Sequence, residues 1–423
     1  NVGCVPSKIL IRAAQLAQQQ RSNPFAGLEN HTPNLSRASL AQQQTALVEQ
    51  LRVAKYQTIL EANPALSLIK GYATFKDANT LTITNTEGFE QQLHADKILI
   101  STGSKPTIPT IDGLVDTPYW TSTEALFDNK LPKHLAVIGS SVVALEIAQA
   151  YRRLGSDVTI LARHTLLYRE DPLLSKKLTQ YCEKEGIRVL NNTQVAHVHH
   201  DGELFQLETD SGSLTCDQLL ISTGRHANTA KLNLAAVGIK TNQHGQIIVN
   251  DHMESSITGI YAAGDCANMP QFVYVAAAAG SRAGINMTGG HAQLDLSTMP
   301  AVIFTDPQVA TVGLSDAQAS RLGIETDYRV LDMENVPRAL ANFETDGFIK
   351  LVVEKTTGRL IGAQILAHEG GEIIQSAALA IHHRMTVTTL AEQLFPYLTM
   401  VEGLKLCAQT FTKDVKELSC CAG

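Results

Sequence analysis

HLAVIGSSVVALEIAQAYRRLGSDVTILAR, residues 134–163, is the stretch whose reading decides the fold. An apolar run at 134–138 stops at Gly139-Ser140-Ser141, apolar residues then recur at helical spacing, and a second apolar run ends at Ala162. Strand, glycine-bearing turn, amphipathic helix and strand make a βαβ unit, which predicts a parallel sheet with crossover helices. Such a turn presents backbone N–H groups and a helix N-terminus to a pyrophosphate. Gly139 supplies the tight turn and Ala144 the close approach of helix to strand, while Ser141, still small, occupies the middle glycine position. The competing reading is a turn that serves packing alone. The second strand ends without the acidic residue that would hold a ribose 2′-hydroxyl. Arg163, His164 and Arg169 follow instead, and cations there suit a 2′-phosphate, so NADP(H) is expected over NAD(H). A solvated loop would also tolerate these arginines.

Outward from this unit, the alternation of helix and strand runs from His134 to about Gly224. Residues 1–60 read as mainly helical, and 66–103 as short β-type runs, LSLIKGYATF, TLTITNT and HADKILISTG. A further strand ends in GIYAAGDC (259–266) before an alanine-rich helix, and from about Met299 the chain reads as an α+β unit. The 423 residues allow two or three domains with substantial cores. A net charge of −7 provides no field for nucleic acid. The most apolar short runs, such as FVYVAAAAG (272–280), fall well short of the roughly 20 residues that span a bilayer. No secretory signal opens the sequence, although a truncated start would hide one; a cytoplasmic location is expected.

Seven cysteines are too sparse for a disulfide scaffold. Cys182 and Cys216 sit in apolar segments and read as buried thiols, as do Cys266 and Cys407. Cys4 and the adjacent Cys420 and Cys421 are different. Cys4 in NVGCVPSK (1–8) opens a helical pattern with Lys8 close behind, and a thiolate at a helix N-terminus beside a cation is stabilised and reactive.

With these residues the sequence resembles the FAD-dependent pyridine nucleotide–disulfide oxidoreductases, the family of the glutathione and lipoamide reductases. Their redox signature is C-x-x-x-x-C-V/I-P-S/K-K, and NVGCVPSK is similar to its second half. The first cysteine would lie two residues before Asn1, with the FAD glycine loop further upstream. STGSKP (101–106), LLISTGR (219–225) and GIYAAGDC resemble the segments that link and close the family's nucleotide domains. The resemblance implies an α/β fold with two Rossmann-like dinucleotide-binding domains, for FAD and NADPH, plus a C-terminal α+β dimerisation domain. It divides the chain into an FAD-binding part at 1–118, an NADPH-binding domain at 119–250, a return to the FAD domain at 251–298 and a dimerisation domain at 299–423. It places Thr102, Gly103, Gly224 and Gly264 at the cofactors and Asp265 on the ribityl chain. Ala73 would touch the adenosine by its backbone, Val273 would lie at the flavin's pyrimidine edge, and Lys8 and Glu146 would pair beside flavin N5. A solvent-facing helix glutamate is the plain alternative for Glu146.

Most disulfide-reducing members carry H-P-T-x-x-E near the C-terminus, the histidine acting as acid and base. Here Tyr397-Leu398-Thr399-Met400-Val401-Glu402 keeps the threonine and the glutamate and replaces the histidine with Tyr397. Imidazole titrates near ~6.5 and phenol near ~10, so the base is lost at neutral pH and a disulfide substrate is disfavoured. The tail, KELSCCAG (416–423), ends in adjacent thiols, whose Cα atoms about 3.8 Å apart suit a soft cation better than an unstrained disulfide. SCCAG, FPYLTMVEG and AVIGSSVVALE resemble the members of this family that reduce Hg(II) to Hg(0). On that resemblance Cys420 and Cys421 capture Hg(II) from a thiol complex and pass it to a redox pair that includes Cys4. Tyr56 and Tyr397 flank the ion, and the tail and Tyr397 come from the second subunit of a homodimer. His197, His199 and His200 fall around a strand end before Asp201-Gly202 and read instead as a solvated turn, and His382 and His383, consecutive on a helix, cannot face one ion. Two other readings stay open: a disulfide or lipoamide reductase with an altered base, and an inactive metal-binding remnant.

Overall fold

The computed structural model describes residues 2–418, so Cys420 and Cys421 lie outside the described residues. The chain forms two compact units, one built from 46–109 and 223–296, the other from 2–45, 110–222 and the chain from 297 onward.

The second unit is organised on the parallel sheet that 134–163 foretold. Its order is Gln218–Ile221, His134–Ile138, Asp157–Ala162, Arg188–Asn191, with Ile138 opposite both Leu161 and Ile221. Leu135, Ala136 and Val137 are fully buried, as expected of a central parallel strand covered on both faces. Helices Val142–Leu154 and Pro172–Lys184 make the crossovers. Gly155, at φ +117°, ends the first in the left-handed conformation that glycine adopts without penalty. Helix Cys4–Arg21 joins the same core through Leu10, Ala14 and Ala17.

The expected alternation stops short of Gly224. After Arg188–Asn191 the chain makes a three-stranded antiparallel meander, Val195–His200, Phe205–Thr209 and Gly212–Cys216, before returning to the parallel sheet. Period-two burial explains it: Phe205 and Leu207 are buried while Gln206 and Glu208 are exposed. Gly202 and Gly212, both at positive φ, allow the tight reversals.

From Ala301 the unit adds a five-stranded antiparallel sheet, in the order Ala301–Ile303, Gln308–Gly313, Leu360–Ala367, Phe348–Glu354, Thr326–Asp332. Helices Gly370–His382 and Glu402–Gln409 contribute to its core. Lys350 lies buried in this sheet, its Nζ 2.6 Å from Asp171 Oδ2, also paired with Asp316 and 4.4 Å from the Tyr328 ring centroid. Asp171 in turn caps Pro172–Lys184 by accepting from the Leu173 N–H at 2.8 Å. Burial alone would favour a neutral Lys350, but the two carboxylates raise its pKa. Lys350→Met is expected to lower the unfolding free energy by about 3 kcal/mol, because it strands the buried Asp171 carboxylate; urea denaturation at neutral pH reads the loss.

The first unit contains an antiparallel sheet, Tyr72–Asp77, Thr80–Thr84 and Glu90–His94. Ile98–Ile100 runs parallel to Ile260–Ala262, and Ser104–Pro106 pairs antiparallel with Arg225–Ala227. The run LSLIK (66–70) stays outside the sheet, with Leu66, Leu68 and Ile69 exposed. Helix Val273–Met287 follows the GIYAAGDC segment.

Candidate active site

The glycine-bearing turn is built so that only glycine fits its first position. Gly139 has φ +139°, and a Cβ there would lie 2.1 Å from the Ser222 carbonyl oxygen. Its N–H donates to the Leu161 carbonyl at 3.1 Å, tying the turn to the next strand. Ser141, at φ −107°, needs no glycine, which explains why serine stands there. It precedes Val142–Leu154 but its side chain makes no capping bond. The first-turn N–H groups, which have no helical acceptor, are therefore left for an anion. Ala144 is fully buried against the sheet. These residues fit a dinucleotide pyrophosphate. Arg163, His164 and Arg169 lie exposed in the loop after Asp157–Ala162.

The thiol end lies in the same unit. Cys4 is the exposed first residue of helix Cys4–Arg21, with no side-chain cap from Gly3. Pro6 sits in the first turn, where its missing N–H leaves no helical bond unmade. Lys8, one turn on from Cys4 and on the same face, places Nζ 2.7 Å from Glu146 Oε2 and 4.3 Å from the Phe304 ring centroid. Glu146 is only 4% exposed, and its other oxygen accepts the Phe304 N–H at 2.9 Å. A buried carboxylate held by an ammonium and a backbone donor is compensated at both oxygens, so the solvent-facing reading of Glu146 is replaced by a buried one.

In the other unit Asp265 Oδ2 accepts from the Ser104 hydroxyl at 2.7 Å, and Ser104 Oγ accepts from Arg225 Nε at 2.7 Å. Arg225 also donates to the Ser104 carbonyl at 2.8 Å. Sequence reasoning had Asp265 but missed Ser104 and Arg225, although both sit inside segments it quoted. Gly103, Gly224 and Gly264 all have positive φ around this network, and the Thr102 carbonyl accepts from Asn228 at 3.1 Å. Ala73 lies half-buried on Tyr72–Asp77. Val273, 63% exposed, opens a 15-residue helix that Phe272 leaves without a side-chain cap. An uncapped helix N-terminus suits the electron-rich pyrimidine edge of a flavin, and this donor set fits FAD.

Tyr56 is exposed and lies on a π-helical turn, Val53–Gln57, where the sequence predicted plain helix; such turns recur at functional sites. Tyr397 is 54% exposed. Leu398 adopts φ +58°, and Thr399 donates to the Pro396 carbonyl at 2.8 Å, holding the loop ahead of Glu402. Glu402 is buried at the start of Glu402–Gln409, and its Oε2 finds no partner among the described residues. Burial pushes its pKa up.

The other thiols among the described residues are structural. Cys182, Cys216 and Cys407 are buried, and that burial pushes each pKa up to about 12. Cys266 is buried, with the Ile100 carbonyl at 3.4 Å. Among the described residues no group of three or more His, Cys, Asp or Glu side chains could hold a metal. His197, His199 and His200 lie on the paired strand Val195–His200 rather than in a turn, with His197 3.7 Å from Asp112, and the rings of His382 and His383 meet at 86°. No helix among the described residues is long and apolar enough to cross a membrane.

The chain belongs to the pyridine nucleotide-disulphide oxidoreductases: that family's model matches residues 1–280, and the family's dimerisation domain matches 299–408. The fold is accordingly α/β, with two dinucleotide-binding domains and a C-terminal dimerisation domain, and the protein is a homodimer. Over 423 residues the sequence is 79% identical to the mercuric reductase of Shewanella putrefaciens, covering all of this chain and 76% of that one. It is 59% identical over 429 residues to the mercuric reductase of Shigella flexneri, again covering 100% of this chain and 76% of the relative. Among solved structures it is similar to the HOCl-induced flavoprotein disulfide reductase RclA of Escherichia coli, with a TM-score of 0.85, 26% identity, and coverage of 98% of this chain and 91% of that one. LpdA of Mycobacterium tuberculosis gives a TM-score of 0.86 at 26% identity, covering 97% and 90%.

Proposed function

We infer that the protein reduces Hg(II) to Hg(0) with electrons from NADPH, a mercury-detoxifying reaction. The balance is NADPH plus Hg(II) giving NADP⁺, H⁺ and Hg(0). The observation that carries this reading is the 79% identity to a mercuric reductase along the whole chain. Bound FAD supplies a two-electron relay between the nicotinamide and a redox-active cysteine pair.

The chain's own residues divide the remaining work. Gly139, Ser141, Ala144 and the N-terminus of Val142–Leu154 bind the NADPH pyrophosphate, with Arg163, His164 and Arg169 on its 2′-phosphate. Ala73, Thr102, Gly103, Gly224, Gly264, Asp265 and Val273 hold FAD. The Lys8–Glu146 pair keeps positive charge near the flavin's electron-accepting end. Cys4, as a thiolate, binds the soft cation, together with the second cysteine that the family pattern places upstream. Tyr56 and Tyr397 flank the ion, and Glu402 supports the Tyr397 loop. Hg(II) arrives as a thiol complex, is captured by Cys420 and Cys421, and moves by ligand exchange, which never leaves it uncoordinated. The tail and Tyr397 act on the partner subunit's site. Domain limits of 1–118, 119–250, 251–298 and 299–423 fit this division, and the demand for NADPH and reduced thiols fits the cytoplasm.

The direct test is loss of NADPH absorbance when Hg(II) is added with excess thiol. Absence of turnover, with oxidised glutathione or lipoamide reduced instead, would overturn the reading. A finer prediction concerns the tail. Replacing Cys420 and Cys421 together with serine is expected to slow turnover of thiol-buffered Hg(II) by about tenfold or more, since capture then competes with bulk thiol unaided. Stopped-flow traces at rising thiol concentration read this, and equal rates in parent and variant would remove the tail from the pathway.

A further inference from the structure

The loop that carries Arg163, His164 and Arg169 contains a backbone conformation that ordinary residues avoid. Leu167 has φ +49°, in the left-handed region where a side chain is crowded. Two contacts hold it there. Its side chain is buried, with Leu166, in the core around the parallel sheet. Its N–H donates to the Ser140 carbonyl at 3.0 Å, which ties the loop to the glycine-bearing turn. Strain that the surroundings enforce in this way points to a site.

The next residue touches two of the three candidate phosphate ligands. The Tyr168 ring lies 4.6 Å from the His164 ring, and its hydroxyl accepts from Arg169 Nε at 2.9 Å. The Arg169 guanidinium carbon also lies 5.3 Å from the Tyr168 ring centroid. Engaging Nε fixes the guanidinium plane and leaves its terminal amino groups as the fork that suits a phosphate.

We propose that Tyr168 is a positioning residue for coenzyme choice. It holds His164 and Arg169 as a preformed clamp for the 2′-phosphate of NADPH, and the Leu167 turn sets that clamp beside the pyrophosphate turn. Without it, two flexible side chains must be ordered on binding. The proposal rests on the NADPH reading of Arg163, His164 and Arg169.

The test is calorimetric titration of the flavin-loaded protein with 2′,5′-ADP, which carries the diagnostic phosphate, and with 5′-ADP, which lacks it. Arg169→Ala is expected to weaken 2′,5′-ADP by about thirtyfold. Tyr168→Ala is expected to weaken it by about tenfold, and Tyr168→Phe, which keeps the ring and loses the hydroxyl, by about threefold. Affinity for 5′-ADP should stay within about twofold in all three, and the loss in turnover should appear in KM for NADPH rather than in kcat. If Arg169→Ala changes nothing, the NADPH reading itself fails. If it weakens 2′,5′-ADP while both Tyr168 variants bind like the parent, or weaken both nucleotides equally, the positioning role of Tyr168 is overturned and the NADPH reading stands.

Discussion

Cys4→Ser is expected to lower kcat/KM for Hg(II) by at least about a thousandfold, because a neutral hydroxyl neither ligates a soft cation nor cycles between thiol and disulfide. The structure makes the substitution a clean probe. Cys4 is exposed at the start of its helix, so serine removes no packing. The Ser7 hydroxyl donates to the Cys4 backbone carbonyl, a bond indifferent to the side chain. Stability should therefore stay within about 0.5 kcal/mol of the parent. Bleaching of flavin absorbance by NADPH should persist, separating cofactor reduction from metal reduction. A variant retaining a tenth of the parental Hg(II) turnover would remove Cys4 from the chemistry.

Gly139→Ala is expected to destabilise the protein by about 3 kcal/mol and to abolish measurable NADPH binding. Two penalties add: a left-handed backbone that alanine resists, and a methyl forced against a main-chain oxygen that cannot rotate away. That oxygen belongs to Ser222, which follows the neighbouring strand Gln218–Ile221, so relief would pull that edge strand away from His134–Ile138. Urea unfolding and NADPH titration measure the two losses. An unchanged midpoint with normal coenzyme affinity would show that the turn has more room than its geometry allows. Ser141→Gly, at a position whose φ any residue adopts, should change neither by more than a few tenths of a kcal/mol beyond the loss of a side chain.

Much of the candidate site was legible because its signals are local. The 134–163 unit announced itself through a change of hydrophobic period from two-faced strand to amphipathic helix, interrupted by one glycine. Cys182 and Cys216 were readable as inert thiols from their apolar neighbours, and the structure buries both. The replacement of histidine by Tyr397, beside Leu398 at the motif's proline, was visible because Thr399 and Glu402 keep the rest of the motif. The meander at 195–216 escaped notice because its strands are short and the first, VAHVHH, is half histidine, and polar alternation over five or six residues competes with many other patterns. The π-helical turn at Val53–Gln57 left no trace either, since VAKYQ is equally compatible with an ordinary helix.

By itself the sequence determined which residue types were on offer: a thiol at the start of a helix, a glycine where the backbone must turn sharply, and cations in the loop after the second strand. These are properties of residue type and short spacing. Only the tertiary structure decided which charges became partners and which backbones were strained. The Lys8–Glu146 pair, 138 residues apart, was expected only from the family resemblance, whereas Asp265, 161 residues from Ser104, and Asp171, 179 from Lys350, found partners that nothing in the sequence named. No local pattern encodes such pairs, because their energy arises only after folding excludes water and brings a distant cation or donor within reach of each carboxylate. The left-handed Leu167 has the same origin: isolated leucine avoids that conformation, and only core burial and the Ser140 carbonyl together hold it there.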